Sequence, residues 1–203
     1  FMKGKTHAGV GIAVFLSIYS RLPGNFSYLG LLVVFISSLL PDIDHPKSIF
    51  NKYILLFKNK TSKIAFYSCS GVLVFWYDYL YTREPALKAL AIMLIVIAIS
   101  SHRNGLTHSL FGMIIFAFIA GYLGNMYNIH YMVYYLFIGY GSHILCDMAT
   151  NRGVPLLYPF SKKKFKFPVT YKSNSKIATL IETILTTSVL IFTIYKLPII
   201  FPK

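Results

Sequence analysis

Hydrophobic positions in this chain run in long blocks, not in the alternating or one-sided stripes of elements that face water. Seven stretches, at about 8–20, 26–40, 64–81, 86–101, 106–124, 129–149 and 177–197, are apolar nearly all round, the pattern of helices with apolar surroundings on every side. Several fall short of the roughly 20 residues that a straight bilayer crossing needs. The pattern therefore predicts an all-α, polytopic helical membrane protein of about 5–7 transmembrane or re-entrant helices. Leu22-Pro23-Gly24 splits the first pair, which reads either as two spans or as one re-entrant hairpin. The intervals 41–63 and 150–176 are the long polar ones, both rich in lysine, and no internal repeat divides the chain. One integral-membrane domain over 1–203 accounts for the whole.

Composition sharpens this picture. Charged residues make up only 13% of the chain against 56% hydrophobic, where a soluble domain carries about 25% charged. The net charge of +14 raises nucleic acid as a partner, but the basic residues lie between the apolar stretches and form no amphipathic or β-platform face, so no nucleic-acid binding is expected. If seven spans alternate strictly, one side receives Lys3, Lys5, the five lysines of 41–63, Arg103 and the seven basic residues of 150–176, together 15 of the 20. By the positive-inside rule that side is cytoplasmic. Cys69 and Cys146 fall within apolar stretches and have no CxxC partner, so they argue neither for a disulfide framework nor for a thiolate metal site. The first apolar stretch opens with Lys3, Lys5 and His7 and lacks a small-residue cleavage site followed by polar sequence, so no cleaved signal is expected there.

The same alternation sorts residues that were not used to build it. His7, His45, His102, His108 and His143, with Asp42, Asp44 and Asp147, all fall at the cytoplasmic ends of helices, and Glu182 lies one turn into the last one. Taken singly each has an ordinary role: a histidine at an interface, an aspartate that caps or turns the chain after Pro41. Together, imidazole and carboxylate form a ligand set for zinc or manganese. His143 and Asp147 stand four apart, so one helix face presents both. His102 and His108 flank Arg103-Asn104-Gly105-Leu106-Thr107, where Asn-Gly favours a turn that brings both imidazoles back to one point. Asp42 and Asp44, two apart in an extended segment, offer carboxylates to neighbouring ions.

Three blocks carry a resemblance: Leu40-Pro-Asp-Ile-Asp-His-Pro-Lys-Ser48, His102-Arg-Asn-Gly-Leu-Thr-His-Ser-Leu110, and Gly139-Tyr-Gly-Ser-His-Ile-Leu-Cys-Asp147 continuing through Thr150 to Gly153-Val-Pro-Leu-Leu-Tyr-Pro159. With His7 before them, they resemble, in order, the YdjM-type bacterial membrane-bound metal-dependent hydrolases. The resemblance implies a bacterial inner-membrane location and a metal site made by His7, Asp42, Asp44, His102, His108, His143 and Asp147. The family pattern also carries an acid after the basic loop. Ala178 stands at that position here, and Glu182 lies one helical turn further on. At the level of spacing alone, His-x-x-x-Asp with scattered further ligands is also similar to the zinc-dependent phospholipases C and P1-type nucleases.

The function expected from these readings is hydrolysis of a phosphoester, or of an acyl ester, on a lipid or lipid-linked substrate at the inner leaflet. Two or three divalent ions, zinc or alternatively manganese, would serve it. Asp44, or whichever of Asp42 and Asp44 is not committed to metal, is the expected proton acceptor and Arg103 the expected phosphate contact, with Thr107 and Ser109 as supporting donors to the ligands. Lys162-Lys-Lys-Phe-Lys-Phe-Pro168 reads as a topological anchor or as a binder of anionic headgroups among the membrane lipids. Two other classes compete: a metal or ion transporter, whose ligands belong near the bilayer midplane, and a non-catalytic scaffold with a structural metal.

Overall fold

The structure is a computed structural model that describes residues 3–23, 26–100, 105–173 and 175–200. Among the described residues it is helical, with no β-strand: α1 (Gly4–Ile18), α2 (Tyr28–Ser37), α3 (Ile49–Ile54), α4 (Lys60–Tyr77), α5 (Pro85–Ile99), α6 (Leu110–Met126), α7 (Met132–Met148) and α8 (Lys176–Ile200). Helix starts follow local chemistry. Side-chain oxygens of Ser27, Ser48, Asn59 and Ser109 accept the amide protons of Gly30, Asn51, Ser62 and Gly112, satisfying donors that the first turn leaves open. Pro85 opens α5, where its missing N–H costs nothing.

Each predicted apolar stretch thus carries a helix, with ends displaced by a few residues. The span count is a different matter. By length and composition α8 is the one described helix able to cross a membrane, while α2, α5 and α6 are apolar but shorter. The 41–63 interval, expected as a loop, contains α3 and the first turn of α4.

Helix α7 is the centre of the packing. It lies against α1, α2 and α6, while α4 pairs with α5 and α8 lies along α1. One apolar cluster joins Met93 and Ile97 of α5, Phe116 of α6 and Leu136, Tyr140 and Ile144 of α7. A second joins Phe15 and Leu16 of α1 to Val34 of α2 and Tyr135 of α7. The α2–α7 contact depends on Gly139, where a Cβ would run into the Ser37 hydroxyl and the Val34 carbonyl. Only glycine lets the end of α2 come this close to α7.

The 150–176 segment folds back over the ends of α6 and α7. Isolated bridges pair Thr150 with Tyr171 and Val154 with Phe165. The amide of Phe167 donates to the Met148 carbonyl, and that of Leu110 to the Leu156 carbonyl. Val154 is fully buried in the first apolar cluster, with Leu156 and Tyr158 packed against it. At this same end α1, α4, α6 and α8 begin and α2, α5 and α7 finish.

Candidate metal centre

Five ionisable side chains from four places meet at that end. His7 comes from the second turn of α1, Asp42 from the 3₁₀ turn Leu40–Asp44, His108 from the 3₁₀ turn Leu106–His108, and His143 and Asp147 from the last turns of α7. The three histidines and Asp147 have no exposed side-chain surface, and Asp42 keeps 18%. Two overlapping groups have donor atoms close enough to share a metal ion: His7, Asp42 and His143, and His108, His143 and Asp147.

The orientation of His143 decides what the cluster can bind. Its Nδ1 lies 2.7 Å from the carbonyl oxygen of Ser38, an acceptor only, so Nδ1 carries the proton and Nε2 presents a lone pair. That lone pair faces Asp42 Oδ1 and Asp147 Oδ2, both at 3.7 Å, and Nε2 has no hydrogen-bond partner. A lone pair turned toward two carboxylate oxygens in a buried site is repulsive unless a cation lies between them. Ser38 is held in turn by its own hydroxyl, which donates to the Val34 carbonyl at 2.8 Å.

His108 is set the same way by a longer chain. The Thr107 hydroxyl donates to Asp44 Oδ2 at 2.8 Å, leaving its oxygen to accept from His108 Nδ1 at 3.3 Å. His108 Nε2 then points at Asp147 Oδ2 and Asp42 Oδ1, at 3.4 and 3.6 Å. These separations exceed the roughly 2.7–2.9 Å of a charge-assisted hydrogen bond. They approach the donor-to-donor spacing of about 3.3–3.4 Å around a tetrahedral ion with bonds of ~2.0–2.1 Å. His7 stacks on His143 with ring centroids 3.7 Å apart. Its Nε2 lies 3.4 Å from Asp147 Oδ1, and neither of its nitrogens has a hydrogen-bond partner. The donor set and these buried, unsatisfied nitrogens fit a divalent metal.

Electrostatics in the two turns agree with a site for positive charge. Burial alone would lower the His108 pKa, but the facing carboxylates of Asp147 and Asp42 and the field of Asp44 outweigh it and raise it to about 9. Burial alone would raise Asp42, yet the electrostatic influence of the neighbouring His143 and His108 imidazoles holds its carboxyl well below the usual range.

The remaining expected residues fall in three places. Asp44 is buried behind His108, one hydrogen bond from Thr107, and belongs to neither group. His45 accepts the Lys47 amide at 3.2 Å and closes the turn. Glu182 is buried and accepts the Lys3 amide at 3.3 Å, capping the start of α1, with Ala178 buried nearby on α8. His102 and Arg103 lie outside the described residues.

Several supporting residues escaped the sequence reading. The Asn51 amide clamps the carbonyls of Ile43 and His45 at 2.7 and 2.8 Å, and the Tyr67 hydroxyl donates to its oxygen at 2.6 Å. Lys63, expected as an exposed cytoplasmic charge, is buried. Its ammonium donates to the carbonyls of Asp44 and Ser100 at 3.1 and 2.8 Å, tying the aspartate turn to the end of α5. The Tyr140 hydroxyl donates to the Thr107 carbonyl. The available signal was placement: Asn51 and Lys63 both follow the aspartate turn within the only long polar interval of the first half of the chain.

Fold and site together define a helical protein with a candidate metal centre where its helix ends converge. The chain belongs to the YdjM inner membrane protein family, whose profile matches residues 2–200. Comparison with curated proteins and with solved structures gave no match.

Proposed function

We propose that this protein is a multi-pass, membrane-embedded metal-dependent hydrolase that cleaves a phosphoester on a lipid or lipid-linked substrate. The observation that carries the reading is the inward-facing Nε2 of His143, held by Ser38 against two carboxylates with no hydrogen-bond partner of its own. His7, Asp42, His108, His143 and Asp147 would hold the metal. When bound, such an ion supplies Lewis acidity that lowers the pKa of water and stabilises charge on a phosphoryl oxygen.

The chain's own residues set the rest. Of the five, Asp42 alone reaches the surface, so substrate and water approach along its side, and its carboxylate is placed to accept the proton of the attacking water. Asp44 acts through Thr107 to fix the His108 tautomer, and is a positioning residue in this scheme. Arg103, four residues before Thr107 in the chain, is assigned to a phosphate oxygen. The helix-end location of the cluster favours an enzyme over a transporter, whose ligands belong at the midplane on broken helices.

The outer surface supports the multi-pass arrangement. Leu32 and Phe35 of α2, Val72 and Leu73 of α4, Ile92 of α5, Ile114 and Phe118 of α6, and Leu190 and Ile194 of α8 are all exposed, large apolar side chains on five helices that water would disfavour. At the end opposite the metal residues, Trp76, Tyr77, Tyr79, Tyr81, Tyr127 and Tyr134 are exposed, as in the aromatic belts of membrane interfaces.

The test is metal analysis of detergent-purified protein together with a hydrolysis screen of phospholipids and polyprenyl phosphates, with and without chelator. Bound divalent metal and chelator-sensitive release of phosphate or of a phosphorylated headgroup are expected. Protein free of metal after purification in metal-supplemented buffer would overturn the reading.

A further inference from the structure

Beside the metal residues the 150–176 segment builds a second feature. A cavity of about 450 Å³ is lined by Pro155, Tyr158, Lys162 and Lys164. Lys162 and Lys164 line the cavity, while Lys163 between them lies over the Phe165 ring at 5.9 Å. The cavity wall is firm: Pro155 is buried, and Tyr158 packs on the core formed by α5, α6 and α7. Leu157, next to the lining Tyr158 in the chain, and Phe160, between Tyr158 and Lys162, are 47% and 84% exposed, an apolar fringe in the same stretch as the two ammonium groups. The segment leaves α7 directly after Asp147, and its Leu156 carbonyl accepts the amide of Leu110, two residues beyond His108.

We propose that this cavity binds the phosphate of an anionic lipid headgroup, with Lys162 and Lys164 on the phosphate oxygens and the exposed Leu157 and Phe160 against the acyl region. Two cations lining one cavity recognise a phosphate of any source. The apolar fringe selects the lipid, because a free phosphate gains nothing from it. This deepens the hydrolase reading by naming its substrate class, and binding is separable from turnover because none of the four lining residues belongs to the metal cluster.

The experiment is calorimetric titration of the detergent-solubilised full chain with short-chain phosphatidic acid, short-chain phosphatidylcholine and inorganic phosphate. Wild type is compared with K162A/K164A, K162R/K164R, K163A and H143A, in the presence of chelator. The double alanine variant should weaken phosphatidic acid by roughly tenfold to thirtyfold, the loss expected for two surface cations. The arginine pair, K163A and H143A should bind as wild type. Equal binding of inorganic phosphate would overturn the lipid assignment. Equal losses in K163A and the double alanine variant would reduce the cavity to a diffuse basic surface, and loss in H143A would place the anion at the metal residues instead. Binding that persists in a protein with no hydrolytic activity would sink the hydrolase reading and leave the cavity assignment standing.

Discussion

The carbonyl oxygen of Ser38 and Nδ1 of His143, 105 residues apart in the chain, are joined by a 2.7 Å hydrogen bond. It fixes one histidine tautomer at the crossing of α2 and α7, and a metal-ligating histidine characteristically has such a partner on its other nitrogen. The first prediction follows directly. His143→Ala removes the imidazole and Asp147→Asn discards the charge, and each should lower bound metal while the chain still inserts into the membrane. Metal content measured on the purified variants checks this, and wild-type content in both would remove the pair from the ligand set.

The relay through Thr107 gives the second. Thr107→Val leaves His108 without its acceptor, while Thr107→Ser keeps the hydroxyl. The valine variant should bind metal about 10–100-fold more weakly, the usual cost of losing such a supporting partner, and the serine variant close to wild type. Competition with a chromophoric chelator reads both. Asp44→Asn should fall between them, since an amide oxygen still accepts the threonine proton but brings no charge.

A third concerns pH. The His108 pKa, about 9 against 6.5 for an ordinary histidine, is raised by folding. Its protonated form therefore stabilises the metal-stripped fold fully below about pH 6.5 and loses that contribution as pH rises through 9. Thermal unfolding of chelator-treated protein should shift down across this window. Metal-loaded protein should not show the shift, because the ion replaces the proton and expels it on binding.

Orientation is the fourth. Cysteines placed at the exposed positions Lys58 and Lys163, in a background with Cys69 and Cys146 replaced by serine, should be shielded from an impermeant thiol reagent outside intact cells. Labelling of either overturns a cytoplasmic site. Labelling of one alone would separate the two loops onto opposite faces.

What the sequence made legible was whatever a single helix fixes. His143 and Asp147 share a face because they stand four apart, and the structure brings both to the cluster. Asp42 and Asp44 were not separable by spacing, since the distinction depends on a 3₁₀ turn that sends one carboxylate toward His143 and the other toward Thr107. Ser38, Asn51 and Lys63 were silent for a related reason: each acts through backbone carbonyls, which every residue has and no residue type announces. Lys63 was also read as a topological charge, because burial of an ammonium between two carbonyls leaves no mark in composition.

The hydrogen bond from the Lys3 amide to Glu182 has a consequence for biogenesis. The start of α1, which carries His7, is capped by a carboxylate that lies 179 residues later in the chain. During synthesis the start of α1 exists long before this cap, which forms only when α8 emerges and docks along α1. The cap on the start of α1 is thereby tied to completion of the last helix, so a nascent chain truncated before Glu182 should bind divalent metal more weakly than the full chain.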